Sequence, residues 1–109
     1  MSFLTVDPPA CMVPSTGGSS IHQLSNAGEV RLVFKVKSSN NTEYCIKPVF
    51  GFVDAGTGAP LEITRMAGIP KEDKLVILFG AAPDGVVDPA EAFKSTQPMG
   101  SVTIPLSAQ

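Results

Sequence analysis

The sequence predicts an all-β chain folded as an immunoglobulin-like sandwich of seven short strands. Three observations carry this. Ten glycines and ten prolines among 109 residues break the chain into short runs and leave little room for helices of ordinary length. Within those runs apolar and polar residues alternate with period two, the signature of a strand with one face buried. Turn signals separate the runs at roughly 8–12 residue intervals, the spacing of a sandwich. The Cys, Trp, Cys pattern of antibody domains is absent, since the chain has no tryptophan.

Leu4 and Val6, then Cys11 and Val13, flank Asp7-Pro8-Pro9 and read as one edge strand broken in the middle. Two prolines remove two N–H donors, which excludes a central ladder and suits a strand that switches sheets. Pro14 to Ser20 is a loop, and Ile21 to Asn26 a short strand with His22 and Leu24 facing inward. The clearest alternation runs from Glu29 to Lys37. There Val30, Leu32, Phe34 and Val36 point inward, and Glu29, Arg31, Lys35 and Lys37 outward. Ser38-Ser39-Asn40-Asn41-Thr42 supplies turn chemistry. Tyr44, Ile46 and Pro48 then alternate with Glu43, Cys45 and Lys47, as the antiparallel partner of the preceding strand would, with Pro48 near its end or on a sheet edge.

Asp54 to Pro60 is a turn, followed by a strand with Leu61 and Ile63 inward. Lys74 to Phe79 is apolar without a break from Leu75 onward. A central strand here buries Leu75, Ile77 and Phe79 and presents Val76 and Leu78 outward, which makes those two interface candidates. Asp88-Pro89, an N-cap followed by proline at the first helical position, opens the one helical opportunity, a turn or two near 89–94. Ser101 to Leu106 forms the last strand. No internal repeat or linker divides the chain, so residues 1–109 are expected to form one domain.

Eight Lys plus Arg against ten Asp plus Glu leave no overall positive field, which argues against a nucleic-acid or anionic-membrane binder. No apolar stretch approaches the roughly 20 residues that cross a bilayer, and the N-terminus lacks a basic n-region. The expected compartment is therefore the cytoplasm, with Cys11 and Cys45 as free thiols and the Asn40-Asn41-Thr42 sequon a polar turn. The lone histidine, His22, is expected to be a partly buried ring held by packing and one hydrogen bond. It has no close-spaced metal-ligand motif around it. No nucleophile elbow or phosphate-cradling glycine loop is present. Neither catalysis nor a cofactor is expected. The outer face of the 29–48 hairpin would align Lys35, Lys37 and Lys47, joined by Lys74, into a basic stripe able to steer an acidic peptide.

At Phe34-Lys35-Val36-Lys37-Ser38-Ser39-Asn40, Tyr44-Cys45-Ile46-Lys47-Pro48 and Gly51-Phe52-Val53-Asp54, the sequence resembles the major sperm protein (MSP) domain, found in nematode sperm cytoskeletal proteins and in the membrane-contact proteins called VAPs. The turn at Ser39 and the segment Pro70 to Lys74 are similar to the small sperm-specific members. The resemblance implies a seven-stranded immunoglobulin-like (PapD-like) sandwich, with cis peptide bonds at Pro48 and at Pro8 or Pro9. It also implies a non-enzymatic role in the sperm cytoskeleton, in the pseudopod, as filament subunit or modulator, with itself or MSP-type filament proteins as partners. In the VAP branch this face binds acidic two-phenylalanine peptides. Lys37, Ser38, Ser39 and Lys74 match that motif, while Val76 stands where the branch has methionine. The chain ends at Gln109 without the branch's coiled coil and anchor, so no tethering role is expected.

Overall fold

The computed structural model describes residues 4–109. Nine strand segments and one helix follow in order: β1 (Leu4–Asp7), β2 (Cys11–Val13), β3 (Gly18–Asn26), β4 (Leu32–Ser38), β5 (Tyr44–Lys47), β6 (Phe50–Val53), β7 (Gly58–Arg65), β8 (Lys71–Ala81), α1 (Pro89–Ser95) and β9 (Pro98–Ala108). They form two facing sheets, ordered β1-β3-β7-β5 and β2-β9-β8-β4-β6. All pairings are antiparallel except β2 with β9.

The nine segments are seven strands, two of which change sheets midway. β1 belongs to the four-stranded sheet and β2 to the five-stranded one, and β5 and β6 divide in the same way. Each break carries a cis proline, at Asp7–Pro8 and Lys47–Pro48; Pro9 is not among the cis bonds. A proline supplies no ladder donor, so the chain can leave one sheet there without orphaning an N–H.

This second switch corrects one expectation. The 44–48 segment is not the partner of the 29–37 strand: β5 pairs with β7, while β4 lies between β8 and β6. Alternation shows which residues face inward but does not specify the neighbouring strand. Phe50–Val53, not expected as a strand, takes the place beside β4. Gly51 there sits opposite Phe34, where a Cβ would come within 2.7 Å of the phenyl ring, so the ring needs a glycine across from it.

The core between the sheets is aliphatic. Leu24, Leu61, Ile63, Leu75, Ile77, Ile104 and Leu106 are fully buried around Phe34 and Phe79. Val30 does not join it. β4 begins only at Leu32, because buried Asn26 ties down the preceding turn: its Nδ2 donates to Val30 O (2.8 Å) and Val53 O (3.0 Å), and its Oδ1 accepts from Gly28 N–H. Val30 is left 52% exposed.

α1 forms where the N-cap signal placed it. Asp88 is extended and accepts from Ala90 N–H, and Pro89 opens the first turn. The helix packs on the outer face of β4 and β6, where Ala92 and the outward-phased Val33 are both fully buried and Phe93 meets Phe50 edge-on at 6.3 Å.

A candidate docking face on the larger sheet

The register of β4 against β8 assembles the face. Lys35 stands opposite Leu78 and Lys37 opposite Val76. One step on, Ser39 and Lys74 meet through Ser39 N–H to Lys74 O (3.0 Å) and Lys74 N–H to Ser39 Oγ (3.0 Å). On the other side β9 brings Ser101 beside Leu78, Thr103 beside Val76 and Pro105 beside Lys74. Seven of the eight residues singled out from the sequence, Lys35, Lys37, Ser38, Ser39, Lys74, Val76 and Leu78, thus lie on these two neighbouring strands and the turn that leaves β4. Val76 and Leu78 are half-buried among them, less open than a bare stripe.

Lys47 is not part of this group. It lies on β5 in the opposite sheet, exposed and paired in register with Glu62. The expected four-lysine stripe is therefore a three-lysine one, because the chain crosses between sheets at Pro48. Lys35 is also less free than its neighbours, its ammonium lying 5.5 Å from the centroid of the Phe50 ring. Lys37 and Lys74 are exposed and make no ion pair among the described residues.

The turn beside them is rigidly built. Ser38 Oγ donates to Asn40 O (2.9 Å) and accepts from Asn40 N–H (3.1 Å). Asn40 is buried, its Nδ2 donating to Asp73 Oδ2 (3.0 Å) and Glu43 Oε1 (3.2 Å), while its Oδ1 accepts from the N–H groups of Thr42 and Glu43. Every donor and acceptor of that amide is occupied, by the turn itself and by Asp73 of β8, so Asn40 is built in as a structural residue. Asp73 Oδ1 accepts from Ser39 Oγ (3.1 Å) and lies 3.8 Å from Lys71 Nζ. A shallow depression lined by Ser39, Glu72, Asp73 and Lys74 opens alongside.

The face is open at this end only, since α1 covers the other end over Val33 and Phe50. An apolar residue in the outward phase of β4, facing a short helix with Ala92 and Phe93, was the sequence signal for that cover. Arg31 continues the β4–β6 register opposite Asp54, bonding it at 2.8 Å and stacking 3.9 Å over Phe52. This exposed pair contributes little to stability.

His22 and Cys11 are buried in the fold. His22 is fully buried with two hydrogen bonds, a correction to the partly buried ring with one: Nδ1 lies 2.7 Å from Pro8 O and Nε2 2.8 Å from Ser20 Oγ. Its ring closes the gap left where β1 ends. Both cysteines are free; Cys11 is buried in the core, where desolvation pushes its thiol up, and Cys45 is exposed on the opposite sheet. Among the described residues no group of three His, Cys, Asp or Glu could hold a metal ion, and no helix is long and apolar enough to cross a membrane. Sequence reasoning missed Arg65, fully buried although charged. Its Nε donates to Met66 O (3.1 Å) and Nη2 to Ile69 O (2.7 Å), which pins the 66–70 loop, while Nη1 and the Tyr44 hydroxyl have no hydrogen-bond partner.

Comparison with known proteins agrees with this architecture. The family model of the MSP (major sperm protein) domain matches residues 3–102. Sperm-specific class P protein 10 of Caenorhabditis elegans is 58% identical over 105 residues, covering 96% of each chain. The solved structure of SSP-19, an MSP-domain protein like family member in Caenorhabditis elegans, superposes with a TM-score of 0.94 at 56% identity, covering 96% of this chain and 98% of that one. WR4, a C. elegans MSP family member, also gives 0.94, at 44% identity over the whole of both chains. With its two switched strands, aliphatic core and lysine-bearing outer face, the chain belongs to the major sperm protein domain family, as a non-enzymatic member.

Proposed function

We propose that residues 1–109 form one MSP domain that works in nematode sperm cytoplasm, in the cytoskeleton of the pseudopod, as a subunit or modulator of MSP-type filaments. The observation that carries this reading is the outer face of β4 and β8. Val76 and Leu78 lie half-buried between Lys35 and Lys37 on one side and Ser101 and Thr103 on the other, with Lys74 at one end, an apolar strip with a polar and charged rim of the kind that meets another protein. The names of its relatives, sperm-specific class P proteins, support the tissue.

The test is sedimentation of the purified chain with a filament-forming MSP relative. Co-sedimentation with the fibres, or a changed rate of fibre growth, supports the role. A chain that neither enters the pellet nor alters growth defeats it.

A second reading has its own observation. Lys37 and Lys74 are exposed, lack ion pairs among the described residues, and stand diagonally on neighbouring strands, Lys74 two residues from Val76, the register partner of Lys37, as anchors for an acidic peptide would. Titration with an acidic diphenylalanine peptide should give binding that weakens as salt rises. No binding at low salt removes this alternative.

A further inference from the structure

We propose that the 82–88 loop of one copy docks on the Lys37–Lys74 half of the outer face of a second copy, so that copies of this chain join head to tail. The inference rests on the docking role proposed above and names its surfaces.

The loop has the chemistry the face requires. Asp84 and Asp88 are exposed on either side of Gly85, Val86 and Val87, and neither forms an ion pair among the described residues. Val87 is 91% exposed, more than any other large hydrophobic side chain described. Gly85 turns the tip at φ +79°, with open space where a Cβ would be. A bare valine flanked by two aspartates thus projects from this end of the molecule. The receiving strip is its complement, Val76 and Leu78 flanked by Lys37, Lys35 and Lys74. Opposite charges around a small apolar contact steer the encounter and set its register.

Among the described residues, neither aspartate of the loop pairs with a lysine of its own copy. Lys74 stands near the start of β8, and the loop follows that strand's end at Ala81. Seven strand residues separate them by about 23 Å at the usual rise. Contact is therefore between copies, and because donor and acceptor surfaces differ, each added copy leaves one of each free. A heterologous contact of this kind makes open chains where its rotation does not close and rings where it does, and growth past the dimer distinguishes both from a reciprocal two-fold pair. The patch is small, so the association is weak and needs high local concentration.

Sedimentation velocity of the full chain, at concentrations up to about 1 mM, tests this in low salt and in about 0.3 M salt. The wild type should form species that grow past the dimer at low salt and shrink at high salt. A loop variant, Asp84→Ser with Val87→Ser, and a face variant, Lys37→Glu with Lys74→Glu, should each associate at least about tenfold more weakly. All four residues are exposed, and urea unfolding of each variant verifies that the fold is intact. An equimolar mixture of the two variants has one sound loop and one sound face, so it should stop at dimers. A wild type that stays monomeric, a loop variant that associates like wild type, or a mixture that grows past dimers overturns the proposal. A wild type that is monomeric alone but co-sediments with a filament-forming relative overturns this contact and leaves the docking role standing, whereas failure of both removes both.

Discussion

His22 Nδ1 donates to the Pro8 carbonyl at 2.7 Å, at the position where the β1–β3 ladder would place its next pair. β1 stops at Asp7, opposite Gln23, and the side chain of the next β3 residue takes over the acceptor that the departing backbone leaves behind. A carbonyl can only accept, so Nδ1 carries the proton. His22→Ala should lower stability by about 2–4 kcal/mol, through a lost buried ring and an unpaired carbonyl. Ser20→Ala, which strips the Nε2 partner and the hydroxyl beside the Cys11 thiol, should cost about 1 kcal/mol. Urea unfolding measures both, and equal losses would show that the Pro8 bond adds nothing.

The buried pair Tyr44 and Arg65 stand opposite each other on β5 and β7, the guanidinium carbon 5.1 Å from the ring centroid. The phenol hydroxyl and Arg65 Nη1 are both buried without a hydrogen bond of standard geometry, but the Arg65 side chain contacts the phenol and its charge acts on it. Tyr44→Phe should therefore lower stability by about 1 kcal/mol, since it takes a polar neighbour from a buried guanidinium. A rise in stability would mean that the hydroxyl does nothing for Arg65.

Val30 and Val33 exchange the roles that alternation assigns them. Val33→Ser should cost about 2 kcal/mol, because its side chain is fully buried beneath α1. Val30→Ser should change stability by no more than about 0.5 kcal/mol. Chemical denaturation of the two variants decides between the observed arrangement and a strict two-residue period.

Cys11 and Tyr44 both hold their protons above the ordinary values of 9.0 and 10.0, chiefly because burial disfavours the charged forms. The folded state then binds more protons than the unfolded state above about pH 9, so stability should be level up to that point and fall as pH rises further. Cys11→Ala should flatten part of that fall. At neutral pH a thiol reagent should label Cys45 rapidly and Cys11 only on unfolding. Equal labelling of both thiols in the folded protein would contradict the burial of Cys11.

Much of the architecture was legible because local chemistry dictates it. Asp7-Pro8-Pro9 announced a strand that leaves its sheet, Asp88-Pro89 announced the helix start, and the apolar run from Leu75 announced a central strand with an outward pair at Val76 and Leu78. The candidate face was legible in part. Lys37, Ser39 and Lys74 could be grouped, whereas Lys47 was drawn in wrongly because its strand resembles a hairpin partner until the crossing at Pro48 is known.

The side-chain pattern along this chain settled which residues turn toward a core, where turns fall and where a helix can begin, since those depend on neighbours a few residues away. Folding settled which strands lie side by side, what covers Val33, and that Arg65 is buried. These depend on contacts between segments far apart in the chain, whose registers are chosen by the joint packing of both sheets. The same distant pairing, β4 against β8, turns scattered lysines, a valine and a leucine into one face.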